Sequence, residues 1–107
     1  MIEKEYRYKL TDSKTMERII SDDNVDINHM VLKKDDELPI HYSNSNVYLI
    51  IVRGMMSISL NEGKPASYLK DSIINVPYKT KMHIRNEKDN ILEFFVVKAP
   101  SPKVMKS

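Results

Sequence analysis

Along most of this chain apolar and polar residues alternate with a period of two, in short stretches separated by clusters of turn-forming residues. The strongest signal lies at residues 47–60. Residues 47–52 form an unbroken apolar run rich in β-branched side chains, Arg53 and Gly54 end it, and Met56, Ile58 and Leu60 then alternate with Met55, Ser57 and Ser59. Two strands joined at Gly54 are predicted. In the first, Val47, Leu49 and Ile51 point one way and Tyr48, Ile50 and Val52 the other, because side chains alternate across a strand. Both faces are apolar, so this strand needs a barrel or sandwich interior on one side and another layer, or a second subunit, on the other.

The rest of the chain fills in around that hairpin. Residues 4–10 alternate well enough for an edge strand with Tyr6, Tyr8 and Leu10 on one face. Residues 13–21 predict the only helix, short and peripheral: Asp12 or Ser13 caps it, and Met16, Ile19 and Ile20 repeat at helical spacing. A strand follows at 25–32, with Ile27, His29 and Val31 on one face and Met30 and Leu32 on the other, and the acidic and basic residues 33–37 make a solvated turn. After the hairpin come a turn at 61–65, a brief strand at 67–69 and an apolar strand at 72–76 ended by Pro77. Then Thr80, Met82 and Ile84 alternate with Lys79, Lys81, His83 and Arg85, which puts the apolar set inside and the basic row outside. A last long strand covers 91–97, and Pro100 and Pro102 end the fold. About eight or nine short strands with regular turn signals predict an all-β jelly-roll barrel over residues 25–99. Residues 1–24 supply a strand and a helix packed on it, and residues 100–107 a disordered basic tail.

Composition narrows the function classes. A chain of 107 residues makes one domain, so any site sits inside or on a single fold. With 17 basic and 15 acidic residues the net charge is +2, too small a field to predict nucleic-acid or membrane binding. The absence of cysteine excludes disulfides, thiolate metal sites and cysteine nucleophiles. Residues 1–10 have no apolar signal core and no apolar run approaches a bilayer span, so a soluble, cytoplasmic protein is predicted. With two glycines the chain has no phosphate-cradling loop, and it contains neither a nucleophile elbow nor a zinc-protease helix.

At this point the chain resembles a small single-domain member of the cupin superfamily, the RmlC-like, cupin_2 type. The first family motif runs glycine, histidine, histidine, glutamate, glycine, and its spacing falls on Asp35, His41, Ser43, Val47 and Gly54, of which only His41 and Gly54 keep the family residue. The second runs glycine, proline, glycine, histidine, asparagine and falls on Asp71, Pro77, Lys79, Met82 and Asn86, where Pro77 and Asn86 remain. The resemblance implies a double-stranded β-helix in which the motif histidines and glutamate converge on a divalent transition metal. Three of those four ligand positions are here Ser43, Val47 and Met82. Valine has no donor atom, a neutral serine is a poor ligand, and a thioether suits soft ions.

Several readings stay open. Strict alternation places His83 outside, whereas a β-bulge after Pro77 would turn it inward to join His41 as a second ligand. His29 reads as a half-buried histidine bonded to a neighbour, or, if the face of Ile27 and Val31 looks inward, as a partner of His41 across the cavity. The basic row reads as a solvated outer face that discourages edge pairing. The leading functional expectation is a metal-free cupin that binds a small molecule in an apolar barrel cavity. Its walls are Val47, Leu49, Met82, Ile84 and Phe94, with His41 and Ser43 as polar anchors. Were it an enzyme, His41 would be the only candidate acid or base, without a carboxylate to orient it. The alternatives are a metal-dependent dioxygenase or isomerase using His41 and His83, and a homodimeric interaction module paired through the outer face of residues 47–52.

Overall fold

The computed structural model describes residues 1–105 and contains nine strands. They are β1 (Thr15–Ser21), β2 (Asp26–Lys33), β3 (His41–Tyr42), β4 (Val47–Arg53), β5 (Met55–Leu60), β6 (Ala66–Leu69), β7 (Ile73–Val76), β8 (Lys81–Arg85) and β9 (Ile91–Lys98). They form a five-stranded sheet in the order β1-β2-β9-β4-β7 and a four-stranded sheet in the order β3-β8-β5-β6, with every named pairing antiparallel. The two layers enclose one core, in which Leu49, Ile51, Met56, Ile84, Leu92 and Phe94 are all buried. This is the all-β jelly roll that period-two alternation predicts.

The expected hairpin does not form, because β4 and β5 lie in different sheets and do not pair; the chain crosses from one layer to the other at Gly54, whose φ is 82°, and a Cβ there would run into the Ile91 carbonyl oxygen. Only glycine fits that close approach. The other positions where the resemblance expects glycine are Asp35, Asp71 and Lys79, and their φ angles are 70°, 73° and 66°. The backbone thus takes the left-handed conformation at all four positions although three carry a side chain. That agreement fixes the register of both motifs and assigns the histidine position of the second to Met82.

Three further expectations are corrected. Residues 13–21 form no helix: residues 15–21 are the edge strand β1, and the pairing of β1 with β2 shifts between Arg18 and Ile20. A bulge inserts one residue into the ladder, so Met16, Ile19 and Ile20 acquire a helix-like spacing inside a strand. Residues 4–10 join no sheet; they run as an arm over the outer face of the five-stranded sheet. The Tyr8 ring packs against His29 at 4.8 Å and Phe95 at 4.9 Å, and the Lys9 N–H donates to Glu17 Oε2 at 3.0 Å. The tail at residues 100–105 is built into the fold: Ser101 is fully buried, its hydroxyl donates to Asp26 Oδ1 at 3.0 Å, and Pro102–Val104 makes a 3-10 turn. The remainder of the expected disordered tail, residues 106–107, lies outside the described residues.

The arm covers the β2 and β9 part of the outer face but not all of β4 and β7. Tyr48 and Val52 are each 37% exposed and Ile73 is 67% exposed. Among the described residues no helix is long and apolar enough to cross a membrane.

Candidate functional site

Register decides which side chains share the barrel interior. On β2, Asn28, Met30 and Leu32 face inward; on β9, Leu92, Phe94, Val96 and Lys98; on β4, Val47, Leu49 and Ile51. Two lines of neighbours cross the sheet at one end of the barrel. One runs Arg18, Asn28, Val96, Leu49 and the next Asp26, Lys98, Val47. Opposite them, β3 and β8 pair His41 with Met82, so these two point to the same side.

Between the sheets at this end lies a cavity of about 50 Å3, bounded by the inner ends of Asn28, Met30, Leu49, Val96 and Lys98 and by Leu38, His41, Met82 and Ile84. Next to it, toward β1, lies a groove of about 190 Å3 lined by Met16, Glu17, Arg18, Asn28 and Met30, the last two being common to both. The groove is open because the second sheet does not cover β1, and Met16 on its inward side is 59% exposed. The enclosed part alone holds little more than water; ligand pockets typically measure about 300–1,000 Å3. Cavity and groove together make a site with apolar walls and the polar groups of Asn28, His41, Lys98 and Arg18 on its margin.

Of the residues singled out from sequence, His41, Leu49, Met82 and Ile84 meet here. Val47 and Phe94 are fully buried in the core and line neither hollow. Ser43 is committed to the backbone: its hydroxyl donates to the Pro77 carbonyl at 2.6 Å and accepts from the Thr80 N–H at 2.8 Å. The ring of His41 is exposed at the rim, and its Nδ1–H donates to the Pro39 carbonyl at 2.9 Å. Asn28, Met30, Leu38, Val96, Arg18 and Lys98 went unrecognised. Their signal was the alternation of β2 and β9, usable once the inward face of each is known. Burial and the nearby Arg18 hold the Lys98 ammonium below the ordinary lysine value, against the attraction of Asp26.

The other two histidines are elsewhere. His83 stands on the outer face of β8, its Nε2 3.0 Å from Glu37 Oε1, and no bulge turns it inward. His29 is fully buried, but beneath the arm on the outer face, so it does not look across the cavity at His41. Its Nδ1 lies 2.7 Å from Glu17 Oε2 and its Nε2 2.6 Å from Glu93 Oε2. With both carboxylates ionised, both ring nitrogens must carry hydrogen to donate. The network continues through Arg53, whose Nε donates to Glu93 Oε1 at 2.6 Å, Nη1 to Asp12 Oδ1 at 2.8 Å and Nη2 to the Thr11 carbonyl at 2.9 Å. The hydrogen bond from His29, reinforced by the Lys9 N–H, holds the Glu17 carboxyl below the usual glutamate range. A larger open hollow of about 500 Å3 lies beside Arg53, Asp12 and Glu93. Its ionic side chains already bond one another, which leaves little to recognise a ligand.

No protein-family model matches the chain. An uncharacterized protein of Methanocaldococcus jannaschii is 48% identical to it over 105 residues, which are 96% of this chain and 90% of that protein. The crystal structure of an RmlC-like cupin family protein with a double-stranded β-helix fold, from the same organism, superposes with a TM-score of 0.93 at 46% identity, covering 96% of this chain and 95% of its own. The chain belongs to the RmlC-like cupin family. A cupin superfamily protein of Desulfitobacterium hafniense, with a TM-score of 0.73 at 10% identity and coverage of 87% and 83%, shares the fold alone.

The donor set of this cupin does not fit the transition metal that its family resemblance implies. Of the four ligand positions, Val47 has no donor atom, Ser43 has its hydroxyl engaged twice, Met82 offers a thioether and His41 is exposed with Nδ1 bonded to a carbonyl. His41 and His83 lie on opposite faces, and among the described residues no three histidine, aspartate or glutamate side chains gather in ligating positions. The chemistry left at the mouth is that of an imidazole, an amide and two cations over apolar walls.

Proposed function

We propose that this cupin binds a small molecule at the barrel mouth, through side chains rather than through a barrel metal. The observation that supports the reading is that the cavity and the open groove share Asn28 and Met30 as walls; a ligand spanning both gains the room that the cavity alone does not offer. Apolar parts of the ligand rest on Met30, Leu49, Met82, Ile84 and Val96, while Asn28, His41 and Lys98 provide orientation. Binding is favoured over catalysis because His41 hydrogen-bonds a backbone carbonyl rather than a carboxylate that would tune it as a base.

The test is a fragment screen by ligand-observed NMR, run in parallel on the wild type and on Met30→Trp, whose larger side chain obstructs the wall common to both hollows. Fragments that bind the first and not the second support the reading. Fragments that bind both equally, or none that bind at all, defeat it. Homodimer formation is a separate proposal, supported by the half-exposed Tyr48, Val52 and Ile73 on the outer face of β4 and β7; a monomer in sedimentation at micromolar concentration contradicts it.

A further inference from the structure

The cations of this protein fall into two groups. On the outer face of β8 each has its own carboxylate: Lys81 with Glu62 at 2.5 Å, His83 with Glu37 at 3.0 Å, Arg85 with Glu87 at 3.6 Å. Arg53 has two. The side chains of Arg18 and Lys98, on the inward side of the five-stranded sheet, form no hydrogen bond or ion pair among the described residues. Many surface lysines are also unpaired, but those are solvated. Lys98 is half-buried at the cavity wall, and Arg18, itself exposed, is close enough to act on it.

The acids nearby do not complete the pair. Asp26 is the cross-strand neighbour of Lys98 and attracts it, yet it lies outside ion-pair distance and its Oδ1 already accepts from Ser101. Glu17 borders the groove, but its carboxylate is turned to the other face of the sheet, where His29 and the Lys9 N–H hold it. For Lys98 the loss of water is the largest effect, and the attraction of Asp26 exceeds the repulsion of Arg18; the cost of the empty site is that of a half-buried cation without an ion-pair partner, and a negative group placed between Lys98 and Arg18 offsets it. Asn28 pairs directly with Arg18 and brings a neutral side-chain amide to the same spot.

We infer that the ligand of this cupin is a small organic anion, its carboxylate or phosphate headgroup held between Lys98 and Arg18 and its short apolar body lying along Met30 and Met16. The inference rests on the reading of the mouth as a ligand site. Neither cation belongs to the positions that the family resemblance marks, and the headgroup sits on β1, β2 and β9 rather than at the ancestral ligand positions. Arg offers a planar fork and Lys a point charge, so both headgroup geometries are served, and the probes below separate them.

The experiment is isothermal titration of the full chain with hexanoate, hexyl phosphate and, as a neutral match, hexan-1-ol. It is done on the wild type, Lys98→Met, Arg18→Met and Met30→Trp. The expected result is that at least one anion binds about ten-fold or more tightly than the alcohol, that this advantage collapses in both methionine variants, and that it shrinks as salt is raised. Hexan-1-ol binding as well as both anions, with Met30→Trp blocking all three, overturns the inference and leaves the mouth as a ligand site. An anion advantage that survives in both methionine variants also overturns it. Failure of all three probes to bind, or binding that Met30→Trp does not touch, takes down the inference and the reading beneath it together.

Discussion

The two faces of β2 treat charge in opposite ways. On the outer face a fully buried histidine stands between two glutamates, and the chain extends through Arg53 to Asp12 until the polar groups have partners. On the inner face, one residue away in sequence, Asn28 stands beside Arg18 and diagonally across from Lys98, two cations without an ion-pair partner among the described residues. The first arrangement is closed: its bonds run within the protein and leave little to bind a newcomer. The second is open toward a groove. Burial and charge alone would mark His29 as the interesting residue; completeness of partnering marks Lys98 and Arg18 instead.

That contrast breaks or sharpens under substitution. The largest expected effect is on the closed side: His29→Leu leaves Glu17 and Glu93 facing an apolar side chain and costs about 3–5 kcal/mol in urea unfolding. A cost below about 1 kcal/mol would mean that the cluster is not the structural unit described. Next is Tyr8→Ala, which strips the ring from His29 and Phe95; a loss of about 1–3 kcal/mol is expected for two aromatic contacts and their burial, with faster hydrogen exchange confined to β1 and β2. The pH dependence comes third. The carboxyl of Glu17 is held below its ordinary value in the folded chain, so its stabilising contribution is fully present above about pH 4.3 and is lost as pH falls through the lowered value. Glu17→Gln should therefore flatten the acid limb of a stability–pH curve relative to wild type. The smallest effect is on the open side. Lys98→Met removes a half-buried cation whose loss of water outweighs its attraction to Asp26 and should change stability by less than about 1 kcal/mol, with an increase the favoured sign. A loss comparable to that of His29→Leu would show that Lys98 is also a structural group and dissolve the comparison.

Much of the fold was legible because its strands obey strict alternation. Met82 and Ile84 are buried and Lys81, His83 and Arg85 face outward with partners, as period two requires. Gly54 joins β4 to β5 as expected, though across the two sheets rather than in a hairpin, and the motif spacing was matched by positive φ even where Asp35, Asp71 and Lys79 replace glycine. β1 was misread because its bulge mimics helical spacing, which no window of sequence distinguishes without the partner strand. The arm at residues 4–10 has a strand pattern but pairs with no strand, and its alternation serves instead to aim Tyr8 at the outer face of the sheet. The site was only half legible. His41 and Met82 could be placed from motif spacing, whereas Arg18 and Asn28 come from the first two strands and Lys98 from the last, and they share no motif. His29 misled for a related reason: both faces of β2 contain apolar residues, so alternation alone does not say which one looks inward.

The bulge in β1 has a bearing on how the molecule behaves in a crowded solution. Ile19 is the supernumerary residue of that ladder, and the added twist keeps a free sheet margin from lying flat against the same margin of a neighbour. Excising Ile19 would let Arg18 and Ile20 keep their present sides in a straight ladder, so the groove would survive while the margin became a template for ribbon-like stacking.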